Sequence, residues 1–303
     1  MESAIDEVSS ELEVLEQNTA LIAEENFPAR TEVLDAIELD VLERIEQMSR
    51  ANGEAEELQV LRRRAQVLMS SLEEADQHLF EKLRVLIRSG NCTGEELERQ
   101  LRAYAGYGSA DSHAVDIGYD SLDALISGLV LMSPAPVETR VRAPDMVYYQ
   151  PTPARITLDL VTKARLSTGD VFYDLGSGLG QVVILVHLLT GVKARGVEYE
   201  PAYCAYAQRC ASDLGLPQVE FVNGDAREAD LSEGTVFYMY TPFKGEMLET
   251  VLRLLQGVSH SKAIRLLTYG PCTIDVLGQD WLACEEGSFL DPERLAVFHS
   301  VGW

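Results

Sequence analysis

The chain has 303 residues, 46% of them hydrophobic and 24% charged, the balance of a soluble globular protein and not of a disordered, collagenous or disulfide-scaffolded one. Asp and Glu number 49 against 25 Lys and Arg, a formal charge of -24 weighted towards the first hundred residues. That acidity argues against direct partnership with nucleic acid or a membrane surface, since both would repel it, and no basic run longer than Arg62-Arg63-Arg64 interrupts it.

Residues 1–8 carry acids where a secretion signal needs Lys or Arg, and no apolar segment follows. The longest apolar run, 182–189, is too short to span a bilayer. Cys92, Cys204, Cys210, Cys272 and Cys284 form no CxxC pair, so the expectation is reduced thiols, a cytoplasmic location and no metal site.

Residues 1–106 have a helical period throughout. Ile5, Val8, Leu12, Leu15 and Ile22 mark one face of a first helix, whose pattern breaks at Pro28. Leu34, Ile37, Val41, Ile45 and Met48 make a second stripe, ended by Ala51-Asn52-Gly53. The third runs from Leu58 through Leu61, Ala65, Leu68, Leu72, Ala75, Leu79 and Leu83 to Leu86, a helix of roughly 45–50 Å with near-heptad spacing. Two arrangements bury these stripes: an intrachain bundle, or a coiled coil that makes the chain a homodimer. A platform for the second half is compatible with either. Thr93 with Glu96 has capping-box spacing for a fourth helix, and a short helix is expected over 121–131. Gly106, Gly108, Ser109, Asp111, Ser112 and Gly118 read as a loop between them, and Ser133-Pro134-Ala135-Pro136 as a linker. The expected division is a helical amino-terminal region over 1–132 and a second domain over 147–303.

From about residue 147 strands and helices alternate. Helices are expected over 153–166, 181–189, 202–214 and 245–255. Strands are expected over 170–175, 193–198, 219–222, 235–240, 263–268, 281–284 and 295–301. Repeated strand–helix units imply a mostly parallel sheet. The last two strands are joined by a polar link too short for a helical crossover, so they should run antiparallel.

The chemistry centres on Asp174-Leu175-Gly176-Ser177-Gly178-Leu179-Gly180, where a strand turns into a helix. The glycines let a ligand approach the backbone, Glu198 ends the next strand where it can take two ribose hydroxyls, and Asp225-Ala226 closes the third, placed to hold an adenine edge. A dinucleotide fingerprint is GxGxxG facing a pyrophosphate. This turn is GxGxG behind an acid, which repels pyrophosphate and suits an ammonium or a sulfonium. The spacing therefore favours S-adenosylmethionine over a nicotinamide dinucleotide or a purely structural turn. His187 and His299 read as structural.

On these residues, 147–303 resembles the class I, seven-strand S-adenosylmethionine-dependent methyltransferases. Asp174–Gly180 followed by Gln181-Val182-Val183 is similar to the nucleosomal lysine methyltransferases of the disruptor-of-telomeric-silencing type. Tyr149-Gln150-Pro151-Thr152-Pro153, with Gly169-Asp170-Val171, is similar to the ATP-synthase c-subunit lysine methyltransferases. The resemblance implies a Rossmann-like sheet of seven strands, mostly parallel with an antiparallel last strand, preceded by the all-α region. It implies that Gly176, Ser177, Gly178, Gly180 and Gln181 join Asp174, Glu198, Asp225 and Ala226 around the donor. The segment before the first strand is implied to bring Tyr149 and Thr152 over its methionine end. The nucleosomal enzymes carry an asparagine pair after the fourth strand. Here the stretch is Tyr240-Thr241-Pro242-Phe243, so Tyr240 and Phe243 are expected as an aromatic wall and Thr241 as the polar group beside the acceptor. The implied acceptor is a protein lysine, a basic protein without DNA suiting the acidic chain. A small-molecule acceptor and a non-catalytic scaffold are the alternatives.

Overall fold

The computed structural model describes residues 2–53, 55–106, 119–132, 134–285 and 291–302. The expected loop glycines Gly108 and Gly118, Ser133 of the linker and part of the last polar link lie outside them. Two compact units emerge, Met1–Val85 with Arg99–Leu129, and Leu86–Glu98 with Val130–Trp303.

In the first unit, α1 (Glu2–Gln17) is followed by two 3-10 turns, Thr19–Ile22 and Glu24–Asn26. Then α2 (Phe27–Ala36), a π-helical turn (Ile37–Val41) and α3 (Leu42–Asn52) run on without interruption, Gly53 at φ 80 ends α3, and the long α4 (Glu56–Arg88) follows. α5 (Glu95–Ala105) and α6 (Ser121–Val130) complete the amino-terminal helices. The three sequence stripes meet in an intrachain core of Val8, Leu12, Ile37, Val41, Ile45, Leu58, Leu61 and Ala65. Three local readings change. The first stripe does not reach Ile22: the 3-10 turns rotate the chain, so Leu21 is buried and Ile22 exposed. Pro28 lies in the first turn of α2, where its missing N–H has no helical partner to lose, so it starts a helix instead of breaking one. α5 begins at Glu95, one residue too late for Thr93 to cap it.

Arg30 is wholly buried in this unit. Its Nε donates to Asp76 Oδ1 at 2.5 Å, and its Nη1 donates to the carbonyls of Leu21 (2.6 Å) and Ala23 (3.0 Å). Burial pushes the Asp76 carboxyl up, against the pull of Arg30.

The second unit holds α7 (Ala154–Ala164), β1 (Val171–Leu175), α8 (Gln181–Thr190), β2 (Lys193–Glu198), α9 (Pro201–Asp213), β3 (Val219–Asn223) and β4 (Val236–Tyr240). After them come α10 (Gly245–Ser259), β5 (Arg265–Tyr269), α11 (Cys272–Leu277), β6 (Leu282–Cys284) and β7 (Ala296–Ser300). The seven strands take the order β3-β2-β1-β4-β5-β7-β6, parallel except β7, which is antiparallel to both neighbours. From β1 the chain steps outward through α8 and α9, then returns to β4 and steps the other way through α10. Right-handed crossovers therefore put α8 and α9 on one face and α10 on the other. Six apolar residues of α8, from Val182 to Leu188, are buried, which is why that segment reads as a continuous apolar run. Under α10, Tyr173, Leu175, Phe237, Met239, Leu266 and Phe298 pack with Leu248, Val251, Leu252 and Leu255. The six-residue α11 was not expected, because one and a half turns carry no readable period.

Candidate functional site

The chain reverses its direction of travel across the sheet between β1 and β4. In open α/β sheets the crevice outside the carboxyl ends of the strands at such a point is where ligands bind. Here it is a cavity of about 320 Å³, lined from the loops after β1 to β5 and from the segment that precedes α7. Tyr149, Thr152, Asp174, Gly176, Ser177, Gln181, Glu198, Asp225, Ala226, Tyr240, Thr241 and Phe243 all line it. Of the residues expected around the donor, only Gly178 and Gly180 fall outside the lining.

Both glycines still shape it. Gly178 has φ +54, and a Cβ there would run into the Tyr149 ring, so its bare backbone lets that ring pack against the turn. Gly180 faces the other way, where a Cβ would strike Phe221 and Ala207, and so it seats the start of α8 against β3 and α9. Gly176 packs on the Pro242 ring, holding the β1 and β4 loops together.

Asp174, next to last in β1, has its side chain buried and pairs in register with Gly196 and Tyr238. Among the described residues none donates a hydrogen bond to its carboxylate, and burial together with the Glu198 charge pushes it up to about 8. Glu198 is better supported. Its Oε2 accepts from Gly178 N and its Oε1 from Glu200 N, both at 2.7 Å. Burial still leaves it raised, since these backbone donors only partly offset the loss of water. The Tyr199 N–H also favours the charged carboxylate, and its two oxygens still have room to accept from an incoming hydroxyl. The two buried carboxylates thus form a site short of positive charge.

Asp225, after β3, differs from this pair. Arg227 wraps it: Arg227 N and Nε donate to Oδ1 at 2.9 and 3.0 Å, and Nη2 donates to Oδ2 at 2.6 Å, which holds the carboxyl below its usual range. Asn223 and Gly224 fix the start of that loop by donating to the Glu198 carbonyl.

The segment over 138–150 crosses the cavity as a strap with three ties. Glu200 caps α9 through Ala202 N, and takes the Thr139 hydroxyl at 2.6 Å and Arg140 N at 2.7 Å. Burial opposes its charge, but these donors outweigh it and hold the carboxyl at about 2. Tyr203 donates to Glu138 at 3.2 Å and meets the Tyr149 ring edge-on at 5.5 Å. Val147 N donates to the Pro242 carbonyl and Lys244 N to that of Asp145, which ties the strap to the β4 loop. Sequence reasoning passed over Glu200 and Tyr203. The Glu200-Pro201 pair carried a readable signal, since an acid before Pro is a helix-start pattern.

After β4, the Tyr240 ring lies 4.8 Å from that of Tyr269. Phe243 lines the cavity but is mostly in the core under α10. Thr241 has φ +38, and its hydroxyl donates to the Tyr269 carbonyl and accepts from Cys272 N. That hydroxyl braces the β5–α11 turn. Thr152 shares a hydrogen bond with the Tyr238 hydroxyl at 3.2 Å. His187 Nδ1 donates to the Val192 carbonyl at 2.7 Å, a bond within its own helix–strand turn.

Residues 143–257 match the family model of the histone methylation protein DOT1. A protein-lysine N-methyltransferase of Saccharolobus islandicus (strain REY15A) is 33% identical over 96 residues, which are 31% of this chain and 60% of that protein. The chain therefore spans less than two thirds of that relative. Among solved structures, an RNA methyltransferase from Salinibacter ruber in complex with S-adenosyl-L-homocysteine shares 26% identity, with a TM-score of 0.39, over 50% of this chain and 92% of that one. A SAM-dependent methyltransferase from Thiobacillus denitrificans, also in complex with S-adenosyl-L-homocysteine, shares 22% identity, with a TM-score of 0.33, over 41% and 54% of the two chains. Among the described residues, no helix is long and apolar enough to cross a membrane.

Proposed function

We propose that the chain transfers a methyl group from S-adenosylmethionine to a protein lysine. One observation carries the donor assignment: a buried carboxylate with no donor of its own, Asp174, beside the half-satisfied Glu198 at the mouth of an open glycine turn. A ligand with an ammonium or sulfonium and two vicinal hydroxyls supplies what that pair lacks. A dinucleotide would add negative charge to it. Asp174 would hold the cationic end, Glu198 the ribose and the Asp225-Ala226 loop the adenine, with Tyr149 and Thr152 over the methionine end. Bound there, the donor supplies an electrophilic methyl group.

The chain's own work is positioning and the exclusion of water. The strap shuts the donor side, through Glu200 at one end and the Pro242 carbonyl at the other. Tyr240, half-buried at the end of β4, offers its face to a lysine alkyl chain. Enclosure lowers the pKa of an incoming ammonium, so the amine can arrive with its lone pair free and no dedicated base. The Thr241 hydroxyl, held at both ends, shapes the turn and does not take that proton. The lysine acceptor is supported by the protein-lysine relative and the DOT1 match.

The test is calorimetric titration with S-adenosylmethionine and S-adenosylhomocysteine, followed by transfer of a labelled methyl group into host lysate resolved by size. Binding with a labelled, lysine-modified protein band is the expected result. Label confined to small molecules would overturn the protein acceptor, and absence of binding would overturn the donor.

A further inference from the structure

We infer that Arg227 is a specificity-determining residue, which locks Asp225 as a one-sided hydrogen-bond acceptor and so selects an exocyclic amine over a carbonyl on the purine. The inference rests on the donor reading above, but concerns a residue to which that reading gives no part.

The argument is a count of lone pairs. A carboxylate oxygen accepts about two hydrogen bonds in its plane. Asp225 Oδ1 already takes two, from Arg227 N at 2.9 Å and Nε at 3.0 Å, and is full. Oδ2 takes Nη2 at 2.6 Å and a share of the Nε–H at 3.2 Å, whose shorter bond is to Oδ1; three N–H groups thus meet four lone pairs, and the one place left is on Oδ2. The guanidinium fork grips the carboxylate in its own plane, the geometry in which Arg binds carboxylates bidentately, and prevents the group from turning. Asp225 lines the cavity and Arg227 does not, so the remaining place on Oδ2 is the one open to a ligand. The paired guanidinium also keeps the group ionised, so it can accept but not donate. An adenine amine gives it a proton, whereas the carbonyl of a 6-oxopurine turns lone pairs against it.

Without the fork, Asp225 is held only by the Arg227 backbone N–H. It can then rotate. Selectivity therefore falls while the loop keeps its shape, because Gly224 N to the Glu198 carbonyl and Glu228 N to the Asp225 carbonyl are backbone bonds that no side-chain change removes.

The experiment compares S-adenosylhomocysteine with its 6-oxo counterpart, S-inosylhomocysteine, by calorimetry on the whole chain and on Arg227→Gln and Arg227→Lys. The wild type should prefer the adenine compound by roughly 10- to 100-fold, the range for one hydrogen bond to a charged group. In Arg227→Gln that ratio should fall about tenfold or more, and Arg227→Lys, a point charge without the fork, should recover only part of it. A merely structural role would weaken both ligands equally and leave the ratio unchanged, and that result overturns the inference. If the wild type binds neither ligand, the donor reading itself fails. The side chain is 41% exposed, so both variants should fold, and a melting curve on each checks this.

Discussion

The raised carboxyl of Asp174 makes donor binding a proton-linked event whose size follows from the structure. In the free chain, burial and the Glu198 charge put its pKa at about 8, against an ordinary 3.8. A cationic ligand beside it favours the carboxylate, so binding must expel a proton wherever the free group still holds one. At about pH 7 a group with pKa near 8 is about nine-tenths protonated, and roughly 0.9 of a proton should leave per ligand bound. The ionised fraction rises from about 1% at pH 6 to about half at pH 8, so affinity should tighten by about 50-fold across that interval and level off above it. Raised in the same direction, Glu198 can only steepen the rise. The assay is titration of S-adenosylhomocysteine in buffers of differing ionisation enthalpy, which reads the proton count directly, repeated over a pH series. Asp174→Asn should bind more weakly and lose most of the pH dependence. Affinity that stays flat between pH 6 and pH 8 in the wild type, with no proton released, would refute the pairing of Asp174 with a cation.

Other substitutions test other parts of the structure. Asp170, at the foot of β1, loses water on folding, but it accepts from Arg265 at 2.6 Å, from the Ser167 N–H and hydroxyl, and from Thr235, so its pKa is lowered to about 2. A depressed carboxyl stabilises the fold above its unfolded pKa and ceases to as pH falls. Asp170→Asn should therefore lose about 2 kcal/mol near neutrality, a gap that closes between about pH 4 and pH 2 in urea titrations. A gap of the same size at both ends would contradict that linkage. Glu198→Gln puts an amide NH₂ against one of the backbone N–H groups of Gly178 and Glu200, and should weaken donor binding by roughly 1–3 kcal/mol. Unchanged affinity would remove Glu198 from the ribose. Arg30→Met strands the Asp76 carboxyl and two carbonyls in the helical unit, and should lower its stability by about 3–5 kcal/mol in denaturant titration. A loss below about 1 kcal/mol would mean that the site admits water.

That the residues expected around the donor come together in one cavity was legible because their signals are local. A glycine turn between strand and helix, a carboxylate at the end of the next strand and an acid after the third keep fixed chain offsets, and the parallel register of β1, β2 and β3 brings them side by side. In the segment before α7 only Tyr149 and Thr152 were expected at the cavity, through resemblance, and both line it. Glu138, Arg140 and Tyr203 acquire their roles from contacts made about 60 residues away along the chain, and periodicity does not report such contacts. Thr241 shows the limit from the other side. Its position after β4 was read correctly, while its hydroxyl proved to be held by Tyr269 and Cys272, a partnership set by a helix too short to leave a pattern. In the helical region the spacing marked the buried faces, yet the 3-10 turns after α1 shifted burial from Ile22 to Leu21. A 3-10 turn advances about 120° per residue against about 100° in an α-helix, so a few such residues move burial to a neighbouring position without altering the apolar spacing.

The three acids of the site divide by how each is satisfied before any ligand arrives. Asp225 is neutralised in advance by Arg227, Glu198 is half-satisfied by backbone N–H groups, and Asp174 has only the cavity. Their need for a partner is graded in the same order, so the strongest demand for positive charge falls at the carboxyl end of β1, under the strap, and the weakest at the rim. A ligand cationic at one end and a neutral hydrogen-bond donor at the other therefore has a single favourable orientation in the crevice. Its charged end must lie deep, beside the Tyr149 ring that Gly178 admits, and on the side where β4 delivers Tyr240. Orientation is thus set by the unequal satisfaction of three carboxylates. Gly176 against the Pro242 ring packs the β1 loop on the β4 loop, so on the proposed reading a donor fixed by the one is positioned against an acceptor held by the other.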